Sequence, residues 1–369
     1  MTHTELAKYI REQKHRVQKL PVITGFDGFV DELISVVNQR HSLTHFQRIE
    51  TIENFSETIG AAAGHSSLRE IVVKTVDPGG CAINLGDGLA EFGIPVSTYA
   101  TVGEPIHSAF TDYSQKVQLT SWGRAPGKTL AFEFADGKLM FSSVSHLQEF
   151  TPERLRHYLK DGHFFENCYI AAYIAITDWT LFPHMTDCWE FLLETVFSKL
   201  EHTPKIFFDL VDPSSRSVED IKKMLTVLTQ YSEYCHVTLG LNQNEINVLS
   251  SLTNGRIMKA KSPEDALVQA QDLQSKLNID AVIVHSLRYA VGCEGDQTAS
   301  MNGPYCEKPV KSTGAGDRFN AGYILGCLIE CSLADRLTLA TATSGYFVRQ
   351  AKSPTIEELA QFIETMASS

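Results

Sequence analysis

Several classes of protein are excluded by features that this sequence of 369 residues lacks. No apolar run approaches the roughly 20 residues that a membrane-spanning helix needs. Lysine and arginine total 32 against 44 aspartates and glutamates, and the formal charge of −12 argues against a general binder of nucleic acid or anionic membranes. The polar first 16 residues argue against a secretory signal. We therefore expect a cytoplasmic protein with small-molecule ligands.

Paired cysteines and nucleotide-binding glycine runs are also missing. None of the eight cysteines occurs in a CxxC pair, so zinc and redox-dithiol sites have no support and reduced thiols are expected. No G-x-G-x-x-G follows the first predicted strand, which argues against a Rossmann dehydrogenase. The remaining composition, 43% hydrophobic and 21% charged, is typical of a globular protein with a large core.

The second half of the chain alternates between helical and strand patterns, which is typical of a parallel sheet flanked by helices. Strands are predicted over 22–25, 96–102, 169–176, 205–210, 236–239 and 281–284, and helices over 4–18, 82–92, 181–200, 217–230, 264–277 and 356–366. Residues 33–76 fit no regular repeat and are interpreted as an excursion from the main domain. The alternating residues 129–134 and the return at 139–141 predict a β-hairpin.

The segment Lys-Ser-Thr-Gly-Ala-Gly-Asp at 311–317 is the strongest functional signal. It leads into an apolar, helix-compatible run, so Gly314 and Gly316 would let an anion approach the free N–H groups of a helix start. Asp317 lies where that anion would bind. Its carboxylate is interpreted either as a base that takes a proton or as an acidic cap that complements the helix dipole.

Two further motifs lie in the first hundred residues, and the first of them lies just beyond a predicted strand, where open α/β sheets bind ligands. Asp27 and Asp31 follow the first strand and could each bind sugar-like hydroxyls, although one of them could instead cap a solvent-exposed turn. Gly79 and Gly80 precede the predicted helix 82–92, so they expose its N-terminus to a nearby group.

A third motif follows the strand predicted over 236–239. Asn242 and Glu245 place oxygen ligands on one short turn, which suits hydrated magnesium. Asn242 is equally suited to cap the helix that begins there, and the two roles do not exclude each other.

Together these motifs resemble those of the ribokinase family, also called the PfkB carbohydrate kinases, over roughly the whole chain. The correspondence comprises an early aspartate at Asp31 or Asp27, the substrate-side Gly79-Gly80 with Asn84, the Asp212-Pro213 turn with Arg216, the magnesium and phosphate motif Asn242 with Glu245, and the signature Thr313-Gly314-Ala315-Gly316-Asp317.

The resemblance implies one doubly wound, mostly parallel α/β domain over 1–369, with a small β lid from 33–55 and 128–145. It implies transfer of the γ-phosphoryl group of ATP, with Mg²⁺, to a hydroxyl of a sugar or sugar derivative. Asp317 would be the general base, and the N–H groups from Gly314 to Asp317 would form an anion hole. A nucleoside kinase and a catalytically silent sugar-binding protein stay open as alternatives, and relatives that dimerise through the lid suggest a homodimer.

The chain departs from this family in two places. Lys311 stands where the family usually has an aspartate beside a monovalent-cation site. We hypothesise that the Lys311 ammonium replaces that cation and makes activity independent of potassium; the alternative is a lysine that points to solvent. The family's glycine-containing nucleotide turn is replaced by residues 285–290, where Ser286 or Arg288 could supply the lost contacts.

Overall fold

A nine-stranded sheet forms the centre of the protein, whose computed structural model describes residues 1–366. The strand order is β14-β13-β12-β11-β10-β9-β1-β5-β6; the strands from β12 to β6 are parallel and the last two, β13 and β14, are antiparallel. The strands are β1 (Val22–Phe26), β5 (Val96–Ala100), β6 (Gln118–Ser121), β9 (Tyr173–Ile176), β10 (Lys205–Asp209), β11 (His236–Asn242), β12 (Ala281–His285), β13 (Tyr289–Glu294) and β14 (Gln297–Asn302).

Helices cover both faces of this sheet, because its central strands are apolar on both sides. One face packs against α5 (Pro152–Tyr158), α6 (His163–Ile170), α7 (Met185–Thr195), α8 (Val218–Tyr231), α9 (Gln243–Asn254) and α10 (Pro263–Leu277). The other packs against α1 (His3–Val17), α3 (Cys81–Glu91), α11 (Ala315–Leu328), α12 (Leu333–Gln350) and α13 (Ile356–Met366). The short helix α4 (Thr111–Ser114) lies beside a smaller apolar cluster.

A second sheet of five strands leaves the main sheet near its carboxyl edge. It contains β2 (Phe29–Arg40), β3 (Phe46–Arg48), β4 (Ile71–Gly79), β7 (Gly127–Glu133) and β8 (Lys138–Ser143). Strand β2 pairs with β7 on one side and with β3 and β4 on the other, and helix α2 (Ile52–Gly60) packs against one face. The expected lid segments 33–55 and 128–145 lie in this sheet; its action as a lid stays a prediction.

The doubly wound α/β prediction is confirmed, but several local predictions are wrong. The strand expected over 169–176 begins only at Tyr173, because residues up to Ile170 complete helix α6. Within the excursion, 52–60 is a helix and 71–79 a long strand. Strand β4 escaped prediction because it is mostly exposed, so it shows no clean apolar alternation.

All eight cysteines are free thiols. Within residues 1–366, no helix is both long and apolar enough to cross a membrane.

Candidate active site

Five neighbouring parallel strands of the main sheet end in polar residues at the same edge. Strands β10, β11 and β12 end on Asp209, Asn242 and His285, while Asp27 and Asp178 lie just beyond β1 and β9. The carboxyl ends of parallel strands meet at one edge, so these side chains converge on a single region. This edge faces the N-terminus of α11 and is the candidate active site.

Helix α11 begins directly after the glycine signature. Gly314 is its N-terminal cap residue and has a φ of 84°, a left-handed conformation that favours glycine. The N–H of Ala315 donates to the carbonyl of Ser312 at 3.1 Å. Within residues 1–366, the N–H groups of Gly314, Gly316 and Asp317 have no such backbone partner. An anion would therefore meet those three groups, with Ala315 already committed to the turn.

Asp317 is the third residue of α11 and only 8% exposed. Burial and the nearby Asp209 carboxylate raise its pKa to about 7, while Arg318 and a hydrogen bond from Asn84 act in the opposite direction. The cap residue of this helix is Gly314, which has no side chain, so Asp317 does not fill the N-cap position. As an acidic residue in the first turn, Asp317 still complements the helix dipole, and the base interpretation stays a prediction.

Asn84 connects Asp317 to the substrate side of the site. Its Nδ2 donates to Oδ2 of Asp317 at 2.9 Å, across 233 positions of sequence. Asn84 lies in the first turn of α3, directly after Gly79 and Gly80. The double glycine is needed there because a Cβ on Gly79 would collide with the Asp31 carboxylate, and one on Gly80 would lie 2.8 Å from the Asp27 carbonyl oxygen.

Asp27 has a different place from the one expected. Its carboxylate accepts hydrogen bonds from the N–H groups of Cys81 and Ala82 and from the Thr177 hydroxyl, and the residue is 1% exposed. Both carboxylate oxygens are therefore committed to protein donors. Asp27, which lies in the loop after β1, caps the N-terminus of α3. The prediction that it binds sugar hydroxyls does not fit this burial, although the alternative that one of the two aspartates caps a turn does.

Asp31 remains half-buried on β2, opposite Asp77 on β4 and Thr129 on β7. Burial raises its pKa, and Lys311 and Lys138 partly offset that effect. Asp31 is thus the early aspartate whose carboxylate stays available to a ligand.

Asn242 and Glu245 form a capping box at the start of α9. The Asn242 side chain accepts from the N–H groups of Asn244 and Glu245, and the Glu245 carboxylate accepts from the Asn242 N–H and Nδ2, both at 2.7 Å. Glu245 is 4% exposed; burial and Asp209 raise its pKa to about 8. The capping alternative is therefore realised, and both carboxylate oxygens are engaged.

Asp209 was missed by sequence reasoning and lies between the two predicted functional acids. Its carboxylate accepts from Asn320 Nδ2 at 2.6 Å and from the Val211 N–H at 3.1 Å. Burial raises its pKa to about 6, and its charge contributes to the raised pKa of Asp317 and of Glu245. The only sequence signal was its position next to the last residue of the strand predicted over 205–210.

The carboxylates of Asp209, Glu245 and Asp317 form an acidic region that suits Mg²⁺ bound together with phosphates. Mg²⁺ is usually held by one or two carboxylates, several waters and the phosphates of the substrate. In addition to burial, Asp209 raises the pKa of Glu245 and of Asp317, and Asp317 raises that of Glu245; a bound cation would relieve this repulsion. No ready-made cluster of three metal ligands occurs within residues 1–366, and Glu245 is already hydrogen-bonded. Contact through water is therefore the geometry that these residues allow.

A cavity of about 540 Å³ opens on the other side of the anion-binding turn. It is lined by Asn242, His285, Ser286, Leu287, Pro304, Tyr305, Ser312 and Gly316, among others. The His285 ring packs against Phe319 at a centroid distance of 4.9 Å, and its removal from water lowers its pKa to about 4. A neutral imidazole therefore begins the segment 285–290, which replaces the family's glycine-containing turn. The Ser286 hydroxyl accepts hydrogen bonds from the N–H groups of Arg288 and Tyr289, and so it stabilises the backbone of this turn.

The Asp212-Pro213 turn is held beneath the site. Asp212 accepts from the Ser214 N–H at 3.0 Å, and the Arg216 guanidinium stacks on Trp179 at 4.3 Å. Arg216 also donates to the carbonyls of Thr180 and Phe182, and its side chain is 13% exposed. Arg216 is therefore mostly buried, and it fixes the loop after β9.

With this geometry established, comparison with known proteins decides the family. The family model for prokaryotic ketohexokinase matches residues 1–366. This chain belongs to the prokaryotic ketohexokinase family. A ketohexokinase from Haloferax volcanii is 25% identical to it over 350 residues, covering 94% of this chain and 92% of that protein.

Solved structures share the fold of this ketohexokinase family member. Ribokinase from Thermotoga maritima matches with a TM-score of 0.62 at 15% identity, covering 94% of this chain and 99% of that one. Phosphofructokinase-2 from Escherichia coli, in complex with substrates and products, matches with a TM-score of 0.63 at 13% identity, covering 95% and 100%. The predicted ribokinase-like fold and the predicted carbohydrate-kinase class are thereby confirmed.

Proposed function

We propose that this protein is a ketohexose kinase that transfers the γ-phosphoryl group of ATP to a hydroxyl of the sugar. The family model and the Haloferax volcanii relative support the ketohexose class. The observation that carries the proposal is Asp317, a buried carboxylate with a pKa near 7 beside three unpaired N–H groups of a helix start. A proton acceptor beside an anion-binding turn suits phosphoryl transfer to a hydroxyl.

In the proposed reaction, ionised Asp317 accepts the proton of the attacking hydroxyl. The sugar oxygen forms a bond to the γ-phosphorus, the bond from that phosphorus to the bridging oxygen breaks, and ADP leaves with the electron pair. Asn84 donates to Oδ2 of Asp317 and so fixes the orientation of the carboxylate, and Oδ1 would accept the proton. A base held in this way needs no reorganisation during the transfer.

The anion hole consists of the N–H groups of Gly314, Gly316 and Asp317, at the positive end of the α11 dipole. These donors would stabilise the charge on the transferring phosphoryl oxygens. Thr313 completes the turn, and Lys138 from β8 donates to its Oγ1 at 3.4 Å. The cavity that includes Gly316 and His285 would hold the remainder of ATP.

Mg²⁺, when bound, would neutralise part of the charge on the phosphates of ATP. Glu245 and Asn242 would hold its water ligands, and Asp209 adds a nearby carboxylate. On the sugar side, Asp31 would accept hydrogen bonds from sugar hydroxyls, below a lid formed by the second sheet.

The test is a panel of ketohexoses, aldoses, sugar phosphates and nucleosides, scored for ADP release with ATP and Mg²⁺. We expect ketohexoses to give the highest kcat/KM. Replacing Asp317→Asn should lower kcat at least roughly 10²–10⁴-fold, the usual contribution of a positioned base, while ATP still binds.

The control is Asp296→Asn, the same change at an exposed turn between β13 and β14. Near-normal turnover by Asp317→Asn would refute the base assignment. A wild-type protein that binds ketohexose but releases no ADP would instead identify a silent sugar-binding protein, and a preference for nucleosides would replace the substrate class.

A further inference from the structure

Arg318, the residue after the proposed base, has a guanidinium enclosed by protein on several sides. Its side chain is 7% exposed. Nε donates to Ser353 Oγ at 3.1 Å and Nη2 to Asp87 Oδ2 at 3.0 Å, while Cζ lies 4.5 Å from the centroid of the Phe347 ring. These contacts join α11 to α3, to α12 and to the loop after α12. The charge is therefore fixed in one place.

Asp87 keeps the ionised form that this pair requires. It also accepts from Ser353 Oγ and Lys116 Nζ, both at 2.8 Å. Although burial acts in the opposite direction, Arg318 and these donors lower its pKa. A buried guanidinium is costly unless it is paired and hydrogen-bonded, and Arg318 meets both conditions.

The same guanidinium contacts the turn that carries the proposed anion hole. Nη1 donates to the Gly314 carbonyl at 3.5 Å, and a Cβ at Gly314 would lie only 2.6 Å from that Nη1. Glycine is thus favoured for two reasons, its positive φ and this close approach. The guanidinium, paired with Asp87, therefore packs against the first residue of the turn whose N–H groups would bind the phosphoryl oxygens.

We infer that Arg318 is a positioning residue that serves as a built-in cation for the anion hole, so that turnover requires no monovalent cation there. The inference rests on the proposed function. Arg318 thus takes the role that the sequence analysis proposed for Lys311. Lys311 is exposed, and its Nζ lies 6.0 Å from the centroid of the Phe347 ring, against which Arg318 also stacks. Arg318 alone of the two contacts the turn.

The charged groups around this guanidinium come from several elements. Asp87 and Lys116 reach it from the α3 side, Asp317 precedes it on α11, and Lys311 approaches from the signature loop. Because Arg318 opposes the rise in the pKa of Asp317, removing its charge should also move the acid limb of the kcat/KM profile to higher pH. A purely structural arginine would leave that limb in place.

The experiment compares Arg318→Ala and Arg318→Lys with wild type in sodium, potassium and choline buffers. Wild-type kcat should be the same in all three. We expect Arg318→Ala to lose roughly 10²–10³-fold in kcat, as when one oxyanion contact is removed, with the sugar KM nearly unchanged. Guanidinium ion at millimolar concentration should restore part of that kcat by entering the space between Asp87, Ser353 and Phe347. Arg318→Lys, which keeps the charge but loses the planar fork, should be intermediate and should preserve the fold.

The matched control is Arg336→Ala, which removes another mostly buried arginine, paired with Glu294 at 2.6 Å and remote from the anion hole. It should lower stability, leave kcat of the folded protein unchanged and show no rescue. A potassium requirement in wild type, or normal kcat in both Arg318 variants, would overturn the inference.

A second readout separates this inference from the proposed function. Inorganic phosphate should raise the melting temperature of wild type and of Arg336→Ala, and markedly less that of Arg318→Ala. If wild type phosphorylates no sugar, the proposed function fails and this phosphate shift alone decides the role of Arg318. Equal shifts in all three proteins would refute it.

Discussion

The pKa of the proposed base depends on burial and on side chains most of which lie far from it in sequence. Burial, Asp209 and Asp27 raise the pKa of Asp317, whereas the neighbouring Arg318 and the distant Asn84 lower it, and the balance is about 7. A base with a pKa near the working pH combines sufficient ionisation with a strong tendency to accept a proton. For a carboxylic acid, this balance requires a buried site with a second carboxylate close by.

Asp209→Asn should separate this tuning from direct catalysis. In wild type, kcat/KM should rise as Asp317 loses its proton, with a midpoint near pH 7. Removing the negative charge of Asp209 makes ionisation of Asp317 easier, so the midpoint should move to lower pH by roughly half to one unit. The pH dependence of kcat/KM measures this directly. Asp296→Asn should leave the midpoint unchanged; an unmoved midpoint in Asp209→Asn would exclude the electrostatic role.

At the scale of elements, the site depends on the close packing of α3 against α11. Gly88 faces α11, and a Cβ there would lie 2.8 Å from the Cβ of Ala321. Each helix supplies one partner of the hydrogen bond between Asn84 and Asp317, so the distance between the helix axes sets the length of that bond. A glycine inside a helix carries a propensity cost, which here permits this close contact.

Gly88→Ala tests the role of this packing. Alanine has the higher helix propensity, yet the added methyl group must push α3 and α11 apart, so stability should fall by about 1–3 kcal/mol. The longer distance between Asn84 and Asp317 should also lower kcat more than it raises the ATP KM. Denaturant unfolding and steady-state kinetics measure the two effects. Gly60→Ala at the end of α2, where a Cβ meets nothing within 4 Å, is the control; parallel results in both variants would contradict the argument.

At the scale of the whole molecule, the second sheet is connected directly to the chemistry. Strand β2 follows Asp27, and β4 ends at Gly79, so both long strands of the excursion lead into the site. From the hairpin of β7 and β8, Lys138 reaches the signature loop at Thr313. The predicted homodimer through this sheet stays untested, although its outer strands expose apolar side chains such as Val73 and Phe141.

Lys138→Met should weaken closure of this sheet over the substrates. The contact with Thr313 is exposed, so its loss should raise the KM of sugar and ATP by only about 2- to 5-fold, with a smaller effect at high salt. Steady-state kinetics at two ionic strengths check this. Lys128→Met on the same hairpin, where the lysine pairs with Glu32 at 2.7 Å, is the matched control. Equal effects of the two changes would argue for general loss of charge instead of a specific contact.

Residue type and spacing are enough to predict the alternation of strands and helices and the backbone conformation of the phosphate turn. Positive φ and close approach admit few residue types other than glycine, so Gly80 and Gly314 indicate the local backbone geometry. The family motifs at Asp317, Asn84 and Glu245 were likewise visible as residue types in order. Exposed β4 and helix α2 were not, because β4 shows no clean apolar alternation and α2 is a helix of only nine residues.

Which polar side chains are available to a ligand depends on the tertiary structure. Asp27 and Asp31 look alike in sequence, but packing buries the first beneath α3 and leaves the second open. Asp209 and Arg318 gained their proposed roles from partners more than 100 positions away. Burial, charge proximity and hydrogen-bond partners depend on how distant segments pack, and residue type and local spacing do not contain that information.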